Sequence, residues 1–345
     1  MQPNQVAQPA RAFSPGPAPR HRAGGLVILA LAAVLALLGA ACGSDQDTAG
    51  QVAASSAAPE AGLAIGTFPV EVAGDNGPVT LSTAPQRIIS LSASATEMLF
   101  AIGAGSQVAA VDDQSNFPAE APKTDLSGFT PNLEAIVGMT PDLVVVSDAT
   151  EDLLGGLAKA AVPVLVLGAA AKLEDTYSQI EKLGVATGQI GGADKVVNDM
   201  RSRVAAVQKK IAEKPKRAQP LTYYHELDDT LYTVTSKTFV GEVYALVGLV
   251  NIADAADKDG SGYPQLSAEF LIQADPDLIF LADTKCCGQS AQTVAARPGW
   301  SGLKAVKTTA VVALDDDVAS RWGPRMVEQL ETVAEAMAKL PVAAR

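Results

Sequence analysis

Short β-branched runs alternate with amphipathic stretches along most of the chain. Arg87–Leu91, Val108–Val111, Leu143–Val146 and Val164–Leu167 read as buried strands bounded by turn residues. Ala73-Gly74-Asp75-Asn76-Gly77 predicts a tight turn in a preceding β pair, and Ser94-Ala95-Thr96-Glu97 has the spacing of a capping box ahead of an apolar helix from Met98. Strands that alternate with helices imply a parallel sheet covered on both faces. Between residues 193 and 214, Val196, Val197, Met200, Val204, Val207 and Ile211 recur near helical spacing. This predicts one long amphipathic helix of about six turns, stopped by Pro215.

The two halves of the chain repeat one another. Residues 132–148 (NLEAIVGMTPDLVVVSD) align without a gap on residues 267–283 (SAEFLIQADPDLIFLAD), at an offset of 135. Glu134 and Glu269, the Pro-Asp-Leu triplets and the final Asp148 and Asp283 are identical. Just upstream, Ser127-Gly128-Phe129 answers Ser261-Gly262-Tyr263 with one residue of slippage. Each half thus carries an aromatic on a loop, a short helix with a Glu, a Pro-Asp turn and a buried strand ending in Asp. A repeat of this length points to two similar α/β lobes rather than to a solenoid, whose periods are shorter.

The first 41 residues break the pattern. Arg11, Arg20 and Arg22, with no acid, lead into an uncharged stretch from Ala23 to Ala41, a basic region followed by an apolar one. Leu37-Leu38-Gly39-Ala40-Ala41-Cys42 resembles the lipobox of bacterial lipoproteins, although Gly39 stands where that pattern prefers an aliphatic residue. Lipidation of Cys42 is the leading reading; plain cleavage and an uncleaved anchor at the lower limit of a membrane span are the alternatives. Removing residues 1–41 changes the net charge from −12 to −15, because three Arg and no acids are lost. Residues 42–65, rich in Ala, Ser, Gly and Gln, read as a flexible tether, which places the remainder outside the plasma membrane.

Composition narrows the function. With 345 residues, 48% hydrophobic and 19% charged, and 3 Cys, the chain is neither disordered, collagenous nor disulfide-stapled. Its acidity argues against tracking phosphates of a nucleic acid. The expected organisation is a leader at 1–41, a tether at 42–65, an α/β lobe at 66–190, an inter-lobe helix at 191–215 and a second α/β lobe at 216–345.

A lipobox, a tether and two α/β lobes joined by one helix resemble the substrate-binding lipoproteins of ABC importers for metal chelates, which serve cobalamin, ferric siderophores and haem. Residues 85–105 (PQRIISLSASATEMLFAIGAG) are similar to that family's opening signature. Phe117-Pro118, Asn132-Leu133-Glu134, Pro141-Asp142-Leu143 and Gly323-Pro324-Arg325 continue the likeness over roughly residues 66–340. The resemblance implies a class III periplasmic-binding-protein fold, two Rossmann-like lobes with a single long helix between them. It also implies a non-catalytic, monomeric receptor with no intrinsic cofactor that serves an ABC permease dimer and its ATPase. Glu134 and Glu269 match the carboxylates by which the family's cobalamin receptor docks on permease arginines, one per lobe; ordinary exposed acids near helix N-termini are the bland reading.

Phe129 and Tyr263 match two cleft tryptophans of that receptor, while Gln114 replaces a family Tyr and Ser147 a third Trp, which weakens a cobalamin assignment. Further candidates for the cleft are Phe117, Asp148, His225, Arg321 and Trp322, with Arg321 suited to a carboxylate or phosphate of the chelate. His225 is the single histidine after the leader, too few for a bare transition-metal site. It is either an axial ligand to a bound metal or a hydrogen-bonded strand-end histidine. Cys286-Cys287 lacks the spacing of zinc and redox sites; a vicinal disulfide in the cleft wall and a pair of free thiols are the two options. No G-x-S-x-G elbow, Walker A or dinucleotide fingerprint is present. A lipid-anchored chelate sensor and, more remotely, an extracytoplasmic hydrolase are the alternatives to a transport receptor.

Overall fold

The computed structural model describes residues 66–341; the leader, Cys42 and the whole segment to Ile65 lie outside the described residues. A hairpin, β1 (Val70–Gly74) and β2 (Gly77–Leu81), turns at Asp75-Asn76 as its sequence predicts. The first lobe then runs β3 (Ile88–Leu91), α1 (Ala93–Ala101), β4 (Val108–Val111), α2 (Leu133–Gly138), β5 (Leu143–Val146), α3 (Glu151–Lys159), β6 (Val164–Val166) and α4 (Leu173–Thr187). Its four strands are parallel in the order β4-β3-β5-β6. Alternate residues serve opposite faces: Ile88, Leu143 and Val145 pack into one cluster, while Ile89, Val144 and Val146 pack with Ile136, Leu153 and Leu157 of α2 and α3.

α5 (Ile190–Ala212) is the long helix read from the sequence, buried along Val197, Met200, Val204 and Val207. The second lobe follows with β7 (Thr222–Glu226), α6 (Phe239–Ala245), β8 (Val250–Asn251), α7 (Ala268–Ala274), β9 (Leu278–Leu281), α8 (Ala291–Ala295), α9 (Lys304–Lys307), β10 (Val311–Ala313), α10 (Asp316–Ala319) and α11 (Met326–Lys339). Its parallel sheet has the order β10-β9-β7-β8. Both lobes are α/β Rossmann-like units.

The repeated residues do the same work twice. Asn132 and Ser267 accept the N–H groups of Ala135 and Phe270 and so cap α2 and α7. Asp142 accepts the N–H groups of Gln86 and Arg87 at the start of β3, and Asp277 that of Thr222 at the start of β7. Each Pro-Asp turn therefore pins one strand of a sheet to the entrance of its neighbour.

The joint between the lobes is wider than one helix. A single apolar cluster runs from Ile88, Leu99 and Ile180 through Val197 and Met200 to Tyr244, Phe280 and Leu330. α4 touches α6 directly, and Glu242 of α6 accepts the Leu173 N–H at the start of α4, 2.6 Å away.

Candidate functional site

In an open parallel sheet, ligands bind at the carboxyl ends of the strands where the strand order reverses. In the first lobe β3 connects outward to β4 and β5 connects the other way to β6, so that reversal lies between β3 and β5. A cleft of about 650 Å³ opens there, lined by Leu91 and Ser92 after β3 and by Ser147 and Asp148 after β5.

Ser92 accepts the Ala95 N–H and is the N-cap of α1. This corrects the capping box expected at Ser94 and Glu97. Ser94 instead accepts the Trp322 N–H, and the Glu97 carboxylate leaves its helix altogether. Only 2% of the Glu97 side chain is exposed; it receives Arg321 Nη1 at 2.9 Å, Arg325 Nε at 3.0 Å and Arg325 Nη2 at 2.5 Å. Glu97 belongs to the first lobe and both arginines to the second, so a buried ion triad ties the lobes together on one side of the cleft. Gly323 fits between them because a Cβ there would lie 3.0 Å from Glu97 Oε2.

Arg321 lines the cleft, but its guanidinium is committed to the protein: it also donates to the Gln114 carbonyl at 2.8 Å and to Asp317 at 3.0 Å. Its place in the cleft wall is as expected, and three of its five N–H groups are taken up in joining the lobes. Trp322 lines the cleft with its indole N–H on Gln179 of α4, 3.0 Å away.

Phe129 is the most exposed large hydrophobic of the described residues, at 85%, and it lines the cleft. Its loop is fixed by the Ser127 hydroxyl, which accepts the Phe129 N–H. A Cβ at Gly128 would lie 2.4 Å from Asp112 Oδ2 and 2.9 Å from the Leu91 carbonyl, so only glycine lets this loop close on the strand ends. The second lobe repeats the device, with Ser261 accepting the Tyr263 N–H and Gly262 at φ +82°. Tyr263 is 53% exposed at the tip of that loop, outside the walls of the 650 Å³ cavity.

Gln114 and Asp148 line the cavity, together with Asp112 and Asp152. Burial pushes the Asp112 carboxyl up, against the hydrogen bond from Ser115 that pulls it down. Phe117 does not line the cavity; Arg325 lies 3.8 Å over its ring, which makes Phe117 a support for the triad.

His225 is corrected outright as a ligand contact. It is fully buried in β7, with Nδ1 2.7 Å from the Tyr244 hydroxyl, and burial pushes its pKa down to about 3. A neutral imidazole in the core suits an apolar sheet and reaches no ligand.

Cys286 and Cys287 form a vicinal disulfide on an exposed turn after β9. Asp316 holds that turn, accepting from the N–H groups of Thr284, Lys285 and Cys286. The pair stands outside the 650 Å³ cavity. Glu134 and Glu269 are both exposed in the first turns of their capped helices, and bonds from the Glu269 N–H and Ser267 hold the Glu269 carboxyl below its ordinary range.

The second lobe has its own order reversal, between β7 and β9. There the crevice is filled. Arg297 makes two 2.6 Å bonds to the buried Glu226 and lies 4.6 Å over Trp300. Beside them Asp283 is fully buried with neither carboxylate oxygen partnered, and burial together with the Glu226 charge raises its pKa to about 7. Thus the two repeated aspartates diverge, Asp148 open to the cleft and Asp283 sealed. Sequence reading found neither Glu97 nor Arg297 in these roles, since each is paired with a residue far along the chain.

The profile of the periplasmic binding protein family matches residues 88–318, both sheets and the helix between them. The chain belongs to the periplasmic binding protein family. It is 31% identical to the uncharacterized ABC transporter substrate-binding lipoprotein YvrC of Bacillus subtilis, over 92% of this chain and 98% of that protein. It is 30% identical to a cobalamin-binding protein of Halobacterium salinarum, over 78% of this chain and 74% of that one. The crystal structure of the periplasmic vitamin B12 binding protein of Vibrio cholerae superimposes with a TM-score of 0.59 at 26% identity, covering 73% of this chain and 96% of that one. These relatives are binding proteins, and the family works outside the cytoplasm.

Proposed function

We propose that the protein is the substrate-binding receptor of an ABC importer, capturing a metal chelate of the cobalamin, ferric siderophore or haem class between its lobes and delivering it to a permease dimer driven by an ATPase. The observation that carries this reading is the 650 Å³ cleft at the strand ends of the first lobe, walled by the exposed ring of Phe129 and by Trp322. Aromatic faces grip the apolar flanks of a macrocycle or aryl chelate, and a few polar groups such as Gln114 and Asp148 fix its orientation. Tyr263 and the Cys286–Cys287 disulfide, on exposed loops at the carboxyl ends of the second lobe's strands, would meet only a ligand that extends beyond the cavity. The protein needs no cofactor of its own and performs no catalysis. Cys42 carries the lipid, and Glu134 and Glu269 meet arginines of the permease, one from each lobe.

Fluorescence titration against cobalamin, haem and a ferric siderophore tests the ligand class. Trp300 is buried beneath Arg297, so Trp322 is the tryptophan placed to respond. Quenching by one class alone assigns it, and no response to any of the three refutes the chelate reading. Uptake by cells expressing the Glu134→Ala, Glu269→Ala double variant should fall to background with ligand affinity unchanged, and normal uptake would remove the docking role.

A further inference from the structure

The basic residues of this acidic protein are unevenly spread. Five of its 26 Lys and Arg lie in residues 209–217, with one acid, Glu213, among them. The segment is the last turn of α5 and the loop leading to β7. Lys209, Lys210, Lys214 and Lys216 are exposed, while Arg217 donates to the carbonyls of Met337, Leu340 and Pro341 and holds the end of α11 beside them. Lys339 adds a further cation there. Between the two helix ends runs a groove of about 1110 Å³, lined by Ile211, Leu221, Val247 and Leu340 and edged by Lys210, Lys214 and Lys216. Of the acids at its border, Glu331 is already paired with Arg203 at 2.8 Å, which leaves Glu213 and Glu335.

Topology fixes where this surface faces. The loop feeds the amino end of β7, so it lies on the face opposite the strand carboxyl ends that form the cleft. Glu134 and Glu269 occupy first turns of helices that run back toward the starts of β5 and β9, so they lie on the cleft side. The chain enters the body on the same face as the lysines: the Gly66 N–H donates to the Gly188 carbonyl, 3.1 Å away, at the end of α4, where α5 begins. α5, about 34 Å long at 1.5 Å per residue, connects the entry point to the lysine cluster along this face.

We propose that this face, through the lysine-edged groove at its second-lobe end, rests on an anionic lipid bilayer, holding the cleft open to the outside while the receptor awaits ligand. This rests on the tethered-receptor reading. Clustered cations beside apolar surface match a bilayer with anionic headgroups, and their attraction acts within a Debye length even on a protein of net negative charge. Delivery then requires the body to turn over and present Glu134 and Glu269 to the permease. The 24 residues from Cys42 to Ile65 reach at most about 80 Å when extended, against a body about 50 Å across, so the link permits both orientations.

Lysine-reactive labelling of the full lipid-bearing chain, read by mass spectrometry, tests this in vesicles of phosphatidylcholine alone and with phosphatidylglycerol added. Phosphatidylglycerol should protect Lys209, Lys210, Lys214 and Lys216 at least about fivefold, the four lysines favouring the bound state on the order of 10³-fold at low salt. Lys123 and Lys237, in loops on the cleft side, should label equally in both, and 0.5 M salt should abolish the protection. In the variant with all four lysines changed to Gln, protection of Lys339 should vanish while chelate affinity is retained. Equal labelling of the four lysines in both vesicles overturns the proposal, as does failure of the chain to sediment with phosphatidylglycerol vesicles. Sedimentation with phosphatidylcholine vesicles reports the anchor separately, and chelate titration reports the receptor reading.

Discussion

Substituting Glu97→Gln removes one charge from the joint between the lobes. Glu97 accepts three charge-assisted bonds in a site where the Arg321 and Arg325 side chains are 9% and 16% exposed. Breaking a buried pair from one side costs roughly 3–5 kcal/mol, because the partners keep their charge and lose its compensation. Arg321 retains Asp317 and the Gln114 carbonyl, and Arg325 retains the face of Phe117, so the lower end, about 3 kcal/mol, applies. For a body of this size that lowers Tm by about 5 °C. Calorimetry of wild type and variant reads the shift directly. Because one apolar cluster spans both lobes, a single transition should persist. The control is the triple variant Glu97→Met, Arg321→Met, Arg325→Met, which removes all three charges together and should recover most of the loss. A Glu97→Gln protein within about 0.5 kcal/mol of wild type would refute the account of the triad, as would a triple variant no better than the single one.

Three other outcomes are expected. Asp283 binds its proton more tightly folded than unfolded, so it contributes stability at low pH that is lost as pH rises from about 4 to about 7, whereas His225, held neutral, lowers stability as pH falls below about 6.5. Asp283→Asn should therefore raise stability at pH 8 by about 2 kcal/mol and flatten the first of these slopes; denaturant melts across pH check it, and an unchanged slope excludes Asp283. Phe129→Ala should weaken chelate binding about tenfold with no change in Tm, since the ring is exposed, as fluorescence titration would show; unchanged affinity removes Phe129 from the site. Thiol counts on denatured protein should rise by two on reduction if Cys286 and Cys287 are bonded as in the structure, and two free thiols without reductant would contradict it.

Most of the architecture was legible because it rests on local periodicity. The strand runs, the turn at Asp75-Asn76 and the stripe of α5 each state their structure within a few residues. The repeat extended this reach, since whatever Asn132, Asp142 and Gly128 do in one lobe, Ser267, Asp277 and Gly262 were bound to do in the other. What failed were pairings across long separations. Nothing near Glu97 announces Arg321, 224 residues away, so its carboxylate was assigned to the nearest helix end. Arg321 itself was placed at the cleft by its chemistry, and what its sequence surroundings do not announce is that three of its N–H groups join the lobes. Of the two options for His225 the hydrogen-bonded one holds, and only its place among the cleft candidates failed, because a strand end and a strand interior differ by one residue in sequence and by the whole protein core in exposure.

The divergence of the repeat explains why the cleft is asymmetric. Both sheets reverse strand order at the same place, and both crevices should be open by symmetry. In the second lobe the residues ending β7 and following β9 are the acids Glu226 and Asp283, and Arg297 enters from beyond α8 to pair with Glu226, filling the space a ligand would take. In the first lobe the corresponding places hold Leu91-Ser92 and Ser147-Asp148: Leu91 turns into the core, Ser92 caps α1 and Asp148 faces solvent, which leaves a cavity. A ligand held in this cleft, as proposed, would therefore lean on the first lobe, with the second contributing a rim from Asp317, Ser320 and Trp322. Selectivity would then be governed by the residues around Phe129 and Asp148 more than by those around Tyr263. With the lobes bound by the Glu97 triad and a continuous core, a permease would distinguish the loaded receptor by that rim and by the Phe129 loop rather than by a wide closure of one lobe on the other.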